Sequence, residues 1–108
     1  MIEGNSNVKD KNPKNKDGRT PLHVAAAFGQ TQIYDFIIKH VKDKNPSANN
    51  GDTPLHIAAR EGHVDVCKLI IANVVDRAPL NSNGESPLWA ATTSSCKKLL
   101  SECPGSQP

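Results

Sequence analysis

Four histidines and three cysteines carry the acid–base, nucleophilic or metal-binding chemistry open to this 108-residue chain. An imidazole moves protons near neutral pH, and converging His and Cys side chains hold zinc or activate a thiol. His23 and His56, however, stand 33 residues apart in the same local context, Thr-Pro-Leu-His. Side chains that recur with a repeat are spread along the chain axis and do not gather round one centre, so a structural role is expected for both. His63 follows Gly62 at the start of a helical pattern, and His40 is expected at the surface. The cysteines, Cys67, Cys96 and Cys103, are odd in number and form no Cys-x-x-Cys, which argues against a disulfide framework or a zinc knuckle. Cys67, flanked by Val66 and Leu69, is expected to be a part-buried packing residue, while Cys96 and Cys103 fall in an irregular end without a His and carboxylate to activate them. The run Lys11-Asn12-Pro13-Lys14-Asn15-Lys16 has neither a Gly-rich phosphate cradle nor interleaved aromatics. No catalytic residue, metal ligand or cofactor is assigned, and the chain is expected not to be an enzyme.

The elements that position these residues follow from a periodicity. Asp10, Asp43 and Asp76 are 33 apart, as are Pro13, Pro46 and Pro79, then Gly18, Gly51 and Gly84, then Pro21, Pro54 and Pro87. The segment Thr20-Pro21-Leu22-His23 returns as Thr53-Pro54-Leu55-His56 and, degraded, as Ser86-Pro87-Leu88-Trp89. These residues are assigned a structural role. Thr or Ser supplies a cap oxygen and the proline suits a first helical turn, so a helix is expected to start at each Pro. Leu22, Ala25 and Ala26 then share one face, with alanines small enough for close stacking. A second apolar series, Ile33, Phe36, Ile37 and Val41, and again Val66, Leu69, Ile70 and Val74, has helical spacing after Gly29 and Gly62. The Asn-, Pro- and Gly-rich stretches 43–52 and 76–85 read as turns with glycine tips facing solvent.

The motif Thr-Pro-Leu-His-x-Ala at this period resembles the signature of ankyrin repeats, over roughly residues 8 to 100. The resemblance implies an all-α solenoid of stacked helix-turn-helix units with projecting β-turn fingers, and histidines that hydrogen-bond the capping threonine. Residues 1–9 then read as the tail of a preceding repeat, 10–42 and 43–75 as repeats, 76–103 as a partial or degenerate repeat, and 104–108 as a disordered tail. The chain is thus expected to be a fragment of a longer array, marginal in stability because about three units are needed. The family often places Gly late in the second helix, where this chain has Val8, Val41 and Val74, so that helix must run on or end by another route. In the last unit Trp89 replaces His, Thr92 replaces Ala, Ser95 replaces Gly, and Pro104 bars a further turn, which suggests fraying.

Composition narrows the function classes. Aromatics make up 4% of the chain, so a core must come from aliphatic residues in thin layers. The net charge of +2 is small and arises in residues 1–19, too little for a usual nucleic-acid footprint. No secretion signal or membrane-spanning segment is visible. Reduced thiols fit a cytoplasmic or nuclear protein, expected to be a monomer.

The resemblance implies a non-catalytic protein-binding scaffold or adaptor that grips its partner with finger tips and the concave face of the first helices. By position that surface is Lys16, Asp17, Arg19, Ala27 and Phe28; Asn49, Asn50, Asp52, Arg60 and Glu61; and Ser82, Asn83, Glu85, Thr93 and Ser94. The bland alternative is that these positions vary because solvent tolerates them. Two rivals stay open: a positioning domain of a larger enzyme or receptor, and nucleic-acid binding through residues 9–19. Phe28 stands out because its counterparts are polar Glu61 and Ser94, so it is expected to be exposed.

Overall fold

Three prolines open three helix pairs in the computed structural model, which describes residues 13–102. The pairs are α1 (Pro21–Ala27) with α2 (Thr31–Ile38), α3 (Pro54–Glu61) with α4 (Val64–Asn73), and α5 (Pro87–Ala90) with α6 (Ser94–Glu102). Pro21, Pro54 and Pro87 each occupy the first helical turn, where a missing N–H costs nothing. The caps are as expected: Thr53 Oγ1 accepts from the His56 N–H at 3.4 Å and Ser86 Oγ from the Trp89 N–H at 3.1 Å. Among the described residues every element is a helix.

The helices form two rows, α1, α3 and α5 in one and α2, α4 and α6 in the other, with each pair packed on the next. The result is elongated, 48 × 27 × 22 Å, as stacking of thin layers requires. Leu22, Ala25, Ala26, Leu55, Ala58 and Ala59 are all buried in the first row, the alanines admitting close approach of neighbouring helices. Tyr34, Ile38, Val66, Cys67, Ile70, Cys96 and Leu100 are fully buried in the second.

Several sequence expectations are corrected by this packing. The buried face of α2 is Tyr34 and Ile38, whereas Ile33 and Phe36 are 49% and 62% exposed. Val66, the counterpart of Ile33, is covered because α4 packs on α2, but no described residue plays that part for Ile33. Cys67 is wholly, not partly, buried, and Cys96 lies in a regular helix and in the core. Cys103 and the stretch Val8 to Asn12 lie outside the described residues.

Helix ends explain two further departures. Val41 and Val74 are not left-handed stops: α2 ends at Ile38 and α4 at Asn73, and Val74 follows in extended geometry at φ −119° and ψ 153°. Both valines fold back into the core, and basic side chains from the following loops take up the orphaned carbonyls. Lys44 Nζ donates to Ile38 O at 2.7 Å and Val41 O at 2.8 Å, and Arg77 Nε donates to Ile71 O at 3.1 Å, which also complements the negative end of each helix.

The third pair is not simply frayed. Gly62 ends α3 in the left-handed region at φ 78°, but α5 has no such glycine and stops after four residues, with Ala91 extended at φ −62° and ψ 138°. α6 is nine residues long and opens at Ser94, three residues before the position that the 33-residue register gives. Thr92 sews this shortened connection to the second pair, its N–H donating to Ala59 O at 3.3 Å and its hydroxyl to Arg60 O at 2.8 Å.

Leu55→Ala should lower the unfolding free energy by about 2–5 kcal/mol, the usual cost of truncating a fully buried leucine. Chemical denaturation followed by circular dichroism measures it, and an unchanged midpoint would contradict the core placement.

Candidate binding surface

The loops between helix pairs are closed turns that stack on one another. In each, an N–H bonds a carbonyl four residues on: Asn15 to Arg19 O at 2.8 Å, Ala48 to Asp52 O at 2.8 Å, and Asn81 to Glu85 O at 3.0 Å. Gly18, Gly51 and Gly84 donate back to Asn15, Ala48 and Asn81, and Gly18 reaches φ 77°, a conformation costly for other residues. Neighbouring fingers are joined by the Asn49 N–H to Asp17 O at 2.9 Å and the Ser82 N–H to Asn50 O at 3.0 Å. This stacking corrects the expectation that the glycine tips face solvent. Gly18 is buried against Asn49, and a Cβ there would collide with the Asn49 side chain. Only Gly84, with nothing within 4 Å of its Cβ direction, is open.

The two Thr-Pro-Leu-His histidines hold helices to fingers. His23 Nδ1 receives the Thr20 N–H at 3.0 Å while Nε2 reaches Asp52 O at 2.8 Å on the next finger. His56 repeats this, with Thr53 N–H at 3.1 Å and Glu85 O at 2.7 Å. An N–H donor facing Nδ1 and a carbonyl facing Nε2 select the neutral tautomer protonated at Nε2. Both rings are fully buried, and burial lowers their pKa below the ordinary 6.5, although the carbonyl each one meets pulls it partly back. Trp89 takes the third such position and is 72% exposed. His63 precedes α4 at its N-cap position and its Nε2 donates to Ala27 O at 3.2 Å, while exposed His40 meets Phe36 with tilted rings 4.6 Å apart between centroids. Among the described residues no group of three or more His, Cys, Asp or Glu is gathered as a metal would need.

Of the residues assigned by position to a partner surface, Lys16, Asp17, Asn49, Asn50, Glu61, Ser82, Asn83, Thr93 and Ser94 are exposed, and Arg19, Ala27, Arg60 and Glu85 are half-buried. Phe28 ends α1 and is 71% exposed, unlike Leu22, Ala25 and Ala26 of the same helix. Asp52 is the exception: its side chain is 2% exposed and ion-paired to Arg60 Nη1 at 2.8 Å, so it belongs to the interior and not to the surface. Asn81 Nδ2 joins the pair, donating to Asp52 Oδ1 and to Glu85 Oε1 at 2.9 Å each. Burial would push the Asp52 carboxyl up, but hydrogen bonds from Arg60 and Asn81 outweigh it and hold the group below its usual 3.8. Thr93 and Ser94 are exposed but change element, because α6 starts early; the Thr93 hydroxyl accepts from the Cys96 N–H at 3.2 Å as its cap.

Sequence alone passed over Asn81, whose side chain makes four hydrogen bonds and whose turn-closing role is signalled by Asn15 standing two periods before it. Asn15 Oδ1 accepts the Asp17 and Arg19 N–H groups at 2.9 Å, and Asn81 Oδ1 accepts those of Asn83 and Glu85 at 3.0 Å. It also passed over a shallow groove of about 450 Å³ beside α1 and α2, lined by Pro13, Pro21, Val24, Ile33 and Ile37 with Lys14 and Arg19 at its rim.

The model of the family described as ankyrin repeats, in three copies, matches residues 1–78 and again 42–107. The chain belongs to the ankyrin-repeat family, in keeping with helix pairs, stacked fingers and buried Thr-Pro-Leu-His histidines. Ankyrin repeats are generally protein–protein interaction modules and generally non-catalytic. No match was found among curated proteins. Among the described residues no helix is long and apolar enough to cross a membrane.

The buried histidines set a pH dependence. An unfolded chain protonates these rings near 6.5 whereas the fold resists it, so their contribution is whole above that pH and is lost as the pH falls below it. Asp52 is shifted in the same direction but from a lower starting value, so its contribution fades only as the pH falls below about 4. The urea midpoint should therefore drop between pH 7.5 and 5.5, and His23→Gln should shrink that drop. A flat profile would contradict the neutral, buried tautomer.

Proposed function

We propose that the chain is a protein-binding module whose partner lies across the fingers and the concave side of the first helices, with units at 10–42, 43–75 and 76–103. The observation that carries this reading is Phe28, a large aromatic held at 71% exposure at the end of a helix whose Leu22, Ala25 and Ala26 are buried. Burying it against a partner gains apolar area at little conformational cost, as an anchor at the centre of an interface does. Lys16, Asp17, Asn49, Asn50, Ser82 and Asn83 supply the polar rim on rigid, cross-bonded loops. Arg60 and Glu61 flank the second helix end, with the Arg60 guanidinium preset by Asp52. Asp52 itself is left out of the binding set.

With a partner captured from lysate and identified, Phe28→Ala should weaken binding about thirtyfold or more, equivalent to about 2 kcal/mol, while helicity and melting temperature stay nearly constant. Titration calorimetry with thermal melts of both proteins tests it. Wild-type affinity of the variant would remove Phe28 from the site, and so would its unfolding. A steep loss of binding with salt would instead favour nucleic acid at the basic residues before Thr20.

A further inference from the structure

Cys67 and Cys96 come from different helix pairs, Cys67 in α4 and Cys96 in the first turn of α6, and neither has any solvent exposure. α4 and α6 pack directly, and both thiols belong to the same buried core cluster, near enough for Cys96 to perturb the Cys67 thiol. Nothing in the repeat demands this pair. The counterpart of Cys67 is Tyr34 in the first unit and Leu100 in the third, so the two thiols meet only because α6 starts early and brings an extra turn to the interface.

We propose that Cys67 and Cys96 form a reversible disulfide that staples the last helix pair to the one before it when a peroxide oxidant is present. The chemistry closes with hydrogen peroxide alone. The Cys96 sulfur attacks one peroxide oxygen, the O–O bond breaks, the departing hydroxide takes up the thiol proton as water, and Cys96 becomes a sulfenic acid. The Cys67 sulfur then attacks the Cys96 sulfur, the S–O bond breaks, and the second oxygen leaves as water with the Cys67 proton. Two electrons pass from the sulfur pair to the peroxide, and a dithiol reductant reverses the result by exchange.

Three features support this site beyond proximity. Cys96 lies in the first turn of α6, whose partner helix α5 is only four residues long, so local opening of α6 admits a small oxidant to a thiol that is otherwise covered. Burial pushes the Cys67 thiol up and disfavours its thiolate while the stack is closed, so the first attack falls to Cys96 and Cys67 resolves it while the pair is open. The bond would close a loop of about 30 residues containing the third finger, removing much of the freedom of the unfolded chain.

The test uses the full chain carrying Cys103→Ser, so that only these two thiols remain. After brief treatment with hydrogen peroxide, the expected result is a monomer lighter by two hydrogens, in which mass spectrometry of unreduced tryptic peptides finds the Cys67 and Cys96 peptides linked. The melting temperature should rise by roughly 5–15 °C and return on reduction with dithiothreitol. Cys67→Ser under the same treatment should show no rise and should carry a trappable sulfenic acid at Cys96. The proposal is overturned if both thiols remain open to alkylation after unfolding, if oxidation runs on to sulfinic acid without a link, or if the link forms only between molecules.

Discussion

A buried imidazole that spans from one helix to the next finger is the contact on which this stack depends. His23 and His56 each satisfy a helix-capping backbone N–H with one nitrogen and a carbonyl of the following loop with the other. Inside a low-dielectric layer an unmatched polar group is costly, so the ring ties three things together: where the helix starts, how the ring is turned, and how far away the next finger sits. The stacked fingers, with their own cross-links at Asp17 and Asn50, follow from that spacing.

The repeating parts of this architecture were legible in the sequence because each depends on local chemistry. A cap residue before proline starts a helix wherever it occurs, and Leu22 with Ala25 and Ala26 falls on one face by helical geometry alone. What could not be read was anything decided by the presence of a neighbour. Ile33 and Val66 share a register position and an apolar character, yet one is half exposed and the other fully buried, because among the described residues only Val66 has a preceding unit packed against it. Likewise the loss of one glycine at position 95 said that the last turn would differ, but not that α6 would gain residues at the expense of α5.

The candidate surface was legible to a lesser degree. Register alone put Asp52 beside Arg19 and Glu85, three charged residues at one slot, and treated them as equals. Their fates diverge through tertiary partners: Asp52 meets Arg60 from the helix that follows it and Asn81 from the next finger, and is drawn inside. Arg60 in turn is held at the rim with its charge mostly answered, so the middle of the surface is more neutral than its composition suggests. Phe28 was readable because a single apolar residue among polar counterparts has no core to fill.

The histidine bridge also governs which changes of length the chain can absorb. Each ring reaches a carbonyl 29 residues further on, His23 to Asp52 and His56 to Glu85. Removing residues 43–75 as a block would bring Glu85 to the place Asp52 now holds beneath His23, and a loop of the same build would follow. Removing any number that is not a whole period would leave the ring facing the wrong carbonyl and every finger out of step. Insertions and deletions between the repeating turns are therefore quantised: the molecule can grow or shrink by units, and hardly at all by residues.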